Sequence, residues 1–178
     1  MAVPPGVRPL SDRAREGLFA SLGPRVEGAD VLDLFAGTGA IGIEALSRGA
    51  THTVFVERSG PALAALHQNL AKTHVADRAS VVSADVLTLL REGFLRKPEL
   101  AGGPFGLVFL DPPYELGTPD LDDALRRLAE GWLAEDWTVA LTRGRKNPNP
   151  VIPVDWVTAR QLRYGDSLVT LFREVGWA

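Results

Sequence analysis

From residue 31 onward, short runs rich in branched and aromatic residues alternate with stretches of helical apolar spacing, and this alternation leaves few architectures open. Residues 31–35 read as a strand and 40–48 as a helix; 53–56 and 61–73 repeat the pair, as do 80–83 and 86–95. Such a βαβ rhythm dictates a mostly parallel sheet with helices on both faces, because each crossover must return to the same edge. Residues 105–110 are continuously apolar, as suits a central strand buried on both sides. A helix over 119–131, a strand over 137–141 and a polar loop over 142–150 follow. Residues 156–163 and 168–173 flank Tyr164, Gly165, Asp166 and Ser167, and predict an antiparallel hairpin that completes a seven-stranded sheet.

Ahead of this α/β unit, Ala14, Leu18, Phe19 and Leu22 recur at helical spacing after Ser11, a good N-cap, and Gly23 with Pro24 ends the pattern. The expected organisation is an N-terminal extension with a short helix over 1–25 and one domain over 26–178. In the helix over 61–73, Leu63, Leu66 and Leu70 are expected to face the core. Residues 98–104, with paired glycines, read as a surface loop. At 178 residues and 46% hydrophobic content the chain can bury a single core without cross-links. It has no cysteine and three dispersed histidines, so neither disulfides nor a metal centre is expected. The first residues lack a basic stretch followed by an apolar run, and no run is long enough to span a bilayer, so a cytoplasmic protein is expected.

Gly37, Gly39 and Gly42 form a G-x-G-x-x-G array directly after the first strand and open the first helix of the rhythm. Glycines there permit a tight turn and close approach of a ligand to a helix N-terminus, so Phe35, Ala36, Gly37, Thr38, Gly39 and Gly42 are candidate cofactor contacts. Glu57, followed by Arg58, ends the second strand, where a carboxylate can accept both ribose hydroxyls of an adenosine. Both a nicotinamide dinucleotide and S-adenosylmethionine meet that description. Asp33 within the first strand and Asp85, followed by Val86, after the third tilt the reading toward S-adenosylmethionine. Asp33 is also explained as a buried cap of nearby amides, and Asp85 as the N-cap of the next helix or as a contact to an adenine amine.

Asp111, Pro112, Pro113 and Tyr114 follow the apolar strand. Two prolines stiffen the backbone and leave carbonyls free of competing donors. An exocyclic base amine is a weak nucleophile because its lone pair is delocalised into the ring. Asp111 and the Pro112 carbonyl can each accept one amine hydrogen, which orients the lone pair, and Tyr114 offers a stacking face to an extruded base. A rigid loop with a capping aspartate and a packed tyrosine is the bland alternative.

The stretches around the glycine array, 44–50, 109–114, 163–166 and 8–16 together resemble the RsmD family of bacterial ribosomal RNA guanine-N2 methyltransferases. The resemblance implies a Rossmann-like class I methyltransferase domain, S-adenosylmethionine as cofactor, and as substrate a guanine of 16S ribosomal RNA in the small subunit or its assembly intermediate. It also implies that Arg8, Asp12 and Arg13 shape the pocket or meet RNA. Members commonly begin with a glycine- and arginine-rich hairpin, whereas this sequence starts almost at the Arg-Pro stretch, so that RNA-gripping element is expected to be absent.

The net charge of -3 opposes binding dominated by counterion release, although Arg8, Arg13 and Arg15, Arg143, Arg145 and Lys146, and Arg160 with Arg163, are clustered. The alternatives are a DNA adenine-N6 methyltransferase, which usually carries a recognition domain this length leaves no room for, a protein-directed methyltransferase, and a noncatalytic RNA-binding assembly factor. A nicotinamide oxidoreductase would need a catalytic Tyr-Lys, Cys or His arrangement that the sequence does not display.

Overall fold

The structure, a computed structural model, describes residues 10–94, 100 and 102–176. Helix α1 (Asp12–Leu22) precedes an alternation of β1 (Asp30–Leu34), α2 (Ala40–Ser47), β2 (His52–Glu57), α3 (Gly60–Thr73), β3 (Ala79–Ser83), α4 (Val86–Glu92), β4 (Phe105–Leu110), α5 (Thr118–Ala129) and β5 (Leu133–Gly144). The hairpin β6 (Trp156–Tyr164) and β7 (Ser167–Glu174) closes the sheet, whose order is β3-β2-β1-β4-β5-β7-β6. Strands β1 to β5 run parallel, and β7 inserts antiparallel between β5 and β6.

Alternation along the strands builds two core layers. Val31, Phe55, Leu107 and Phe109 meet α1, α2 and α3 on one face; Leu32, Leu34, Val54, Val108 and Leu110 meet α4 and α5 on the other. Helix α1 belongs to the first layer through Leu18, Phe19 and Leu22, and begins as expected with the Ser11 hydroxyl accepting from the Ala14 amide. The strand order reverses between β1 and β4, so the loops leaving those neighbours diverge and open a crevice at their carboxyl ends.

Several boundaries differ from expectation. The buried face of α3 is Ala62, Ala65, Leu66, Asn69 and Leu70, and Leu63 is only half-buried, one step off that stripe. The polar loop expected from 142 begins three residues later, because Thr142, Arg143 and Gly144 pair with Val169, Leu168 and Ser167 of β7. Polar residues can continue a strand when the neighbouring strand takes up their backbone groups. Strand β5 also starts earlier than expected, with a register irregularity between its Leu133 and Thr138 pairings. Gly93 ends α4, its amide returning to the Leu90 carbonyl; Leu95, the expected end, lies outside the described residues, as do residues 98, 99 and 101 of the 98–104 loop.

Candidate active site

The crevice holds a cavity of about 320 Å³ lined by the β1–α2 turn, the ends of β2 and β3, and the segment after β4. The turn is shaped from within the protein. Phe35 adopts φ +60, uncommon for an aromatic residue, and Gly37 and Gly39 follow at φ +57 and +81. The Ala36 amide donates to the Val56 carbonyl at 3.0 Å, and the buried Asn69 side chain of α3 donates to the Thr38 carbonyl at 3.0 Å.

The three glycines divide their labour. Gly37 lines the cavity with Phe35, Ala36 and Thr38. Gly39 and Gly42 do not: a methyl on Gly39 would run into Leu66, and one on Gly42 into the Phe55 ring and the Asp33 carboxylate. Gly39 and Gly42 are placed behind the cavity wall, where the absence of a side chain permits the close seating of α2 on the sheet and α3.

Asp33 is fully buried on the α2 face of β1, and its Oδ2 accepts the Gly42 amide at 3.0 Å, which is the capping role anticipated among the alternatives. Burial pushes its pKa up to about 8, the Gly42 bond opposes this, and the nearby Asp111 and Glu57 carboxylates add to the rise. Glu57 grips the turn: Oε2 accepts the Gly37 amide at 2.8 Å, and Oε1 accepts the amides of Arg58 and Ser59, each at 2.8 Å. Asp85 caps α4 through the Thr88 amide at 3.0 Å and meets the Arg58 guanidinium at 3.0 Å. Its pKa is lowered, chiefly by the bond from Thr88. Val86 lines the cavity beside it.

Asp111 stands apart. It lies on the same side of the sheet as Asp33, one strand over, and its amide is held toward the Leu34 carbonyl at 3.4 Å. Its carboxylate has no hydrogen-bond partner among the described residues, and burial alone pushes its pKa up to about 7. The Pro112 carbonyl is equally unengaged, whereas the Pro113 carbonyl accepts the Leu116 amide at 3.0 Å and tightens the loop. Tyr114 is 49% exposed, with the backbone of Gly144 beside its ring. Two acceptors and an open aromatic face thus border the cavity at the carboxyl edge of the sheet.

The structure brings together every expected residue of this site except Gly39 and Gly42, which support it from behind, and the N-terminal set. Arg13 lines a second cavity of about 510 Å³ that shares Leu10, Asp111 and Tyr114 with the first. Asp12 lines neither; it is exposed and paired with Arg15 at 2.9 Å. Arg8 lies outside the described residues. Arg15, Leu10 and Leu116 line the first cavity without having been singled out as contacts. Thr142, Arg163, Tyr164, Asp166 and Ser167 line the second; the sequence marks 164–167 as a hairpin turn and 163–166 as part of the family resemblance, without placing either at the site.

The first cavity is acid-rich: Asp33, Glu57, Asp85, Asp111 and Glu115 face Arg15 and Arg58. Such a lining favours a ligand carrying positive charge and opposes a pyrophosphate. Among the described residues no group of three or more His, Asp or Glu side chains is placed to hold a metal ion, and no helix is long and apolar enough to cross a membrane.

Comparison with known proteins agrees with this geometry. Residues 1–173 match the family described as Conserved hypothetical protein 95. The chain is 35% identical over 170 residues to Ribosomal RNA small subunit methyltransferase D of Escherichia coli strain K12, covering 95% of this chain and 80% of that one. It is 33% identical over 171 residues to the putative rRNA methyltransferase YlbH of Bacillus subtilis, covering 95% and 89%. The solved structure of the putative methyltransferase YhhF from Escherichia coli superposes with a TM-score of 0.81 at 32% identity, covering 98% of this chain and 90% of that one. The seven-stranded sheet, the acid-rich crevice at its switch point and these matches together show that this chain belongs to the RsmD family and has the class I methyltransferase fold.

Proposed function

We propose that the protein transfers a methyl group from S-adenosylmethionine to the N2 amine of a guanine in small-subunit ribosomal RNA. The observation that carries this reading is the pair of unengaged acceptors, the Asp111 carboxylate and the Pro112 carbonyl, set beside the open face of Tyr114. The names of the relatives support ribosomal RNA as the substrate. S-adenosylmethionine, when bound, supplies a methyl group on a sulfonium, an electrophile that needs no metal.

The acid-rich lining fits that cofactor, which carries a sulfonium and an ammonium against one carboxylate. Glu57, which accepts the amides of Gly37, Arg58 and Ser59, keeps one acceptor site on Oε2 for a ribose hydroxyl, and Asp85 borders the cavity where an adenine amine can donate. Asp111 and the Pro112 carbonyl each accept one hydrogen of the target amine and turn its lone pair toward the methyl group. The Asp111 carboxylate would stabilise the positive charge that develops on the amine nitrogen as it takes up the methyl group. The surplus proton then leaves through Asp111 to solvent. Tyr114 holds the base by stacking. We read residues 1–25 as an N-terminal extension with a short helix and 26–178 as the catalytic domain; α1, which carries Arg13 and Arg15 to the cavities, supports this.

The test is incubation with methyl-labelled S-adenosylmethionine and, in parallel, unmodified small subunits, naked ribosomal RNA and genomic DNA, followed by nucleoside mass analysis. N2-methylguanosine in ribosomal RNA is expected. Label in N6-methyladenine of DNA would overturn the substrate, and cofactor binding without transfer would favour a noncatalytic assembly factor.

A further inference from the structure

Helix α1 buries Ala14, Leu18, Phe19 and Leu22, and Arg15 stands three, four and seven residues before the last three of them. That spacing puts Arg15 on the core-facing stripe, whereas Asp12, Arg13 and Glu16 are exposed. Only 21% of its side chain is exposed. A guanidinium on a buried stripe has to leave it at an opening, and Arg15 does so at the first cavity, which it lines together with Leu10, just ahead of the Ser11 cap.

Two contacts fix which end of the cavity this is. The Phe19 ring packs on Phe109 of β4 with centroids 5.8 Å apart, so α1 lies over the strand that leads to Asp111. Arg15 Nε also comes within 3.9 Å of Glu44 on α2. Arg58 sits two strands away at the end of β2, paired with Asp85 at 3.0 Å. The two guanidinium groups therefore mark opposite ends of the crevice. Glu57 and Asp85 lie with Arg58, and Asp33 and Asp111 lie on the face of the sheet that α1 covers.

Arg15 is held loosely in place. Its Nη2 donates to Asp12 Oδ1 at 2.9 Å, but that side chain is 91% exposed, and a solvated pair of this kind contributes little. Glu44 gives its Oε1 to Arg48 at 2.7 Å. Among the described residues the Arg15 guanidinium makes no other hydrogen bond, which leaves Nη1 and Nε for a ligand. Thr38, 3% exposed, lines the same cavity, and its hydroxyl has no hydrogen-bond partner among the described residues either, so the β1–α2 turn is also one that a polar ligand completes.

We propose that the Arg15 guanidinium binds the α-carboxylate of the methionine tail of S-adenosylmethionine. The inference rests on the reading of the first cavity as the cofactor site. With ribose and adenine at Glu57 and Asp85, the tail is left to the β4 side, where it brings an ammonium and a carboxylate among acids. Asp33 and Asp111 suit the ammonium. They repel the carboxylate unless a cation stands beside it, and among the described residues Arg15 is the cation that lines this end. A planar guanidinium meets a carboxylate with two parallel N–H donors, which fixes its orientation as well as its charge.

Calorimetry tests this with S-adenosylmethionine, S-adenosylhomocysteine and decarboxylated S-adenosylmethionine, which keeps both the sulfonium and the ammonium. The proteins are the wild type, Arg15→Gln, Arg15→Lys and Arg48→Gln. Arg15→Gln should weaken the two carboxylate-bearing ligands about tenfold or more and should not weaken the decarboxylated one. Arg15→Lys, which keeps the charge without the fork, should fall between wild type and Gln. Arg48→Gln removes the other guanidinium paired with Glu44, outside the cavity, and should change none of the affinities. Equal losses for all three ligands would make Arg15 a packing residue, an equal loss from Arg48→Gln would assign the effect to Glu44, and no loss for any ligand would detach Arg15 from the cofactor. Each of these overturns the inference while leaving the reading of the cavity in place. A wild type that binds none of the three ligands would overturn both.

Discussion

The Oε2 of Glu57 accepts the amide of Gly37 at 2.8 Å, so the acid that ends β2 holds the turn that follows β1. The same carboxylate takes the amides of Arg58 and Ser59, and one side chain thereby fixes two of the loops that border the first cavity. Glu57→Ala removes three charge-assisted bonds as well as the expected ribose contact. Cofactor affinity measured by calorimetry should fall at least tenfold, since even one hydrogen bond to a charged group contributes about 1.5–3 kcal/mol. Glu57→Gln, which keeps an acceptor but loses the charge, should fall between wild type and Ala. An unchanged affinity in the alanine variant would remove Glu57 from the cofactor site.

Gly42→Ala puts a methyl against the Phe55 ring and the Asp33 carboxylate. Overpacking of this kind costs about 1–3 kcal/mol, and urea denaturation without cofactor should show it. If Gly42 existed only to admit a ligand, the apo stability would stay put and cofactor affinity alone would drop.

Gly17→Ala should also destabilise, contrary to its effect on an open helix, where the change is worth about 0.5–1 kcal/mol in favour of alanine. The added methyl meets the Tyr164 ring. Combining it with Tyr164→Ala should recover part of the loss, because the obstructing ring is gone; independent, additive losses would show that the two residues are not in contact in solution.

Asp111→Ala should leave cofactor affinity nearly intact and lower the transfer rate steeply, by about a hundredfold or more if its electrostatic role resembles that of other preorganised groups. Tyr114→Ala should weaken transfer by removing the stacking face, and Tyr114→Phe should be mild. Equal damage from the two tyrosine variants would assign the chemistry to the hydroxyl.

Asp33 and Asp111, raised to about 8 and about 7, keep protons in the folded chain that the unfolded chain, near its usual 3.8, has already released. The folded state therefore binds more protons across this window, and the stability of the cofactor-free protein should decline as pH rises from about 4 toward 8. Asp33→Asn should flatten that decline in urea titrations run at several pH values. S-adenosylmethionine brings positive charge to these carboxyls, so its binding near pH 7 should release protons, detectable as a buffer-dependent heat; S-adenosylhomocysteine, without the sulfonium, should release fewer. Transfer should rise through about pH 7 as Asp111 ionises, and a flat profile would mean Asp111 is already anionic in the complex.

What the sequence by itself determined is what local spacing encodes. The period of apolar residues marked out β1 to β4 and α1 to α3 to within a residue or two, because side-chain direction alternates every second residue in a strand and turns every 3.6 residues in a helix. The glycine array and the Asp-Pro-Pro-Tyr segment were legible for the same reason: each is contiguous, and its position after a strand follows from the rhythm. Only the tertiary structure decided which of these residues act together. Gly42 is a glycine because Phe55 lies against it, Thr142 to Gly144 continue β5 because β7 pairs with them, and Gly17 is a glycine because Tyr164 of β6 rests on it. These partners are separated along the chain and brought together by packing, and no periodicity within either segment carries that information.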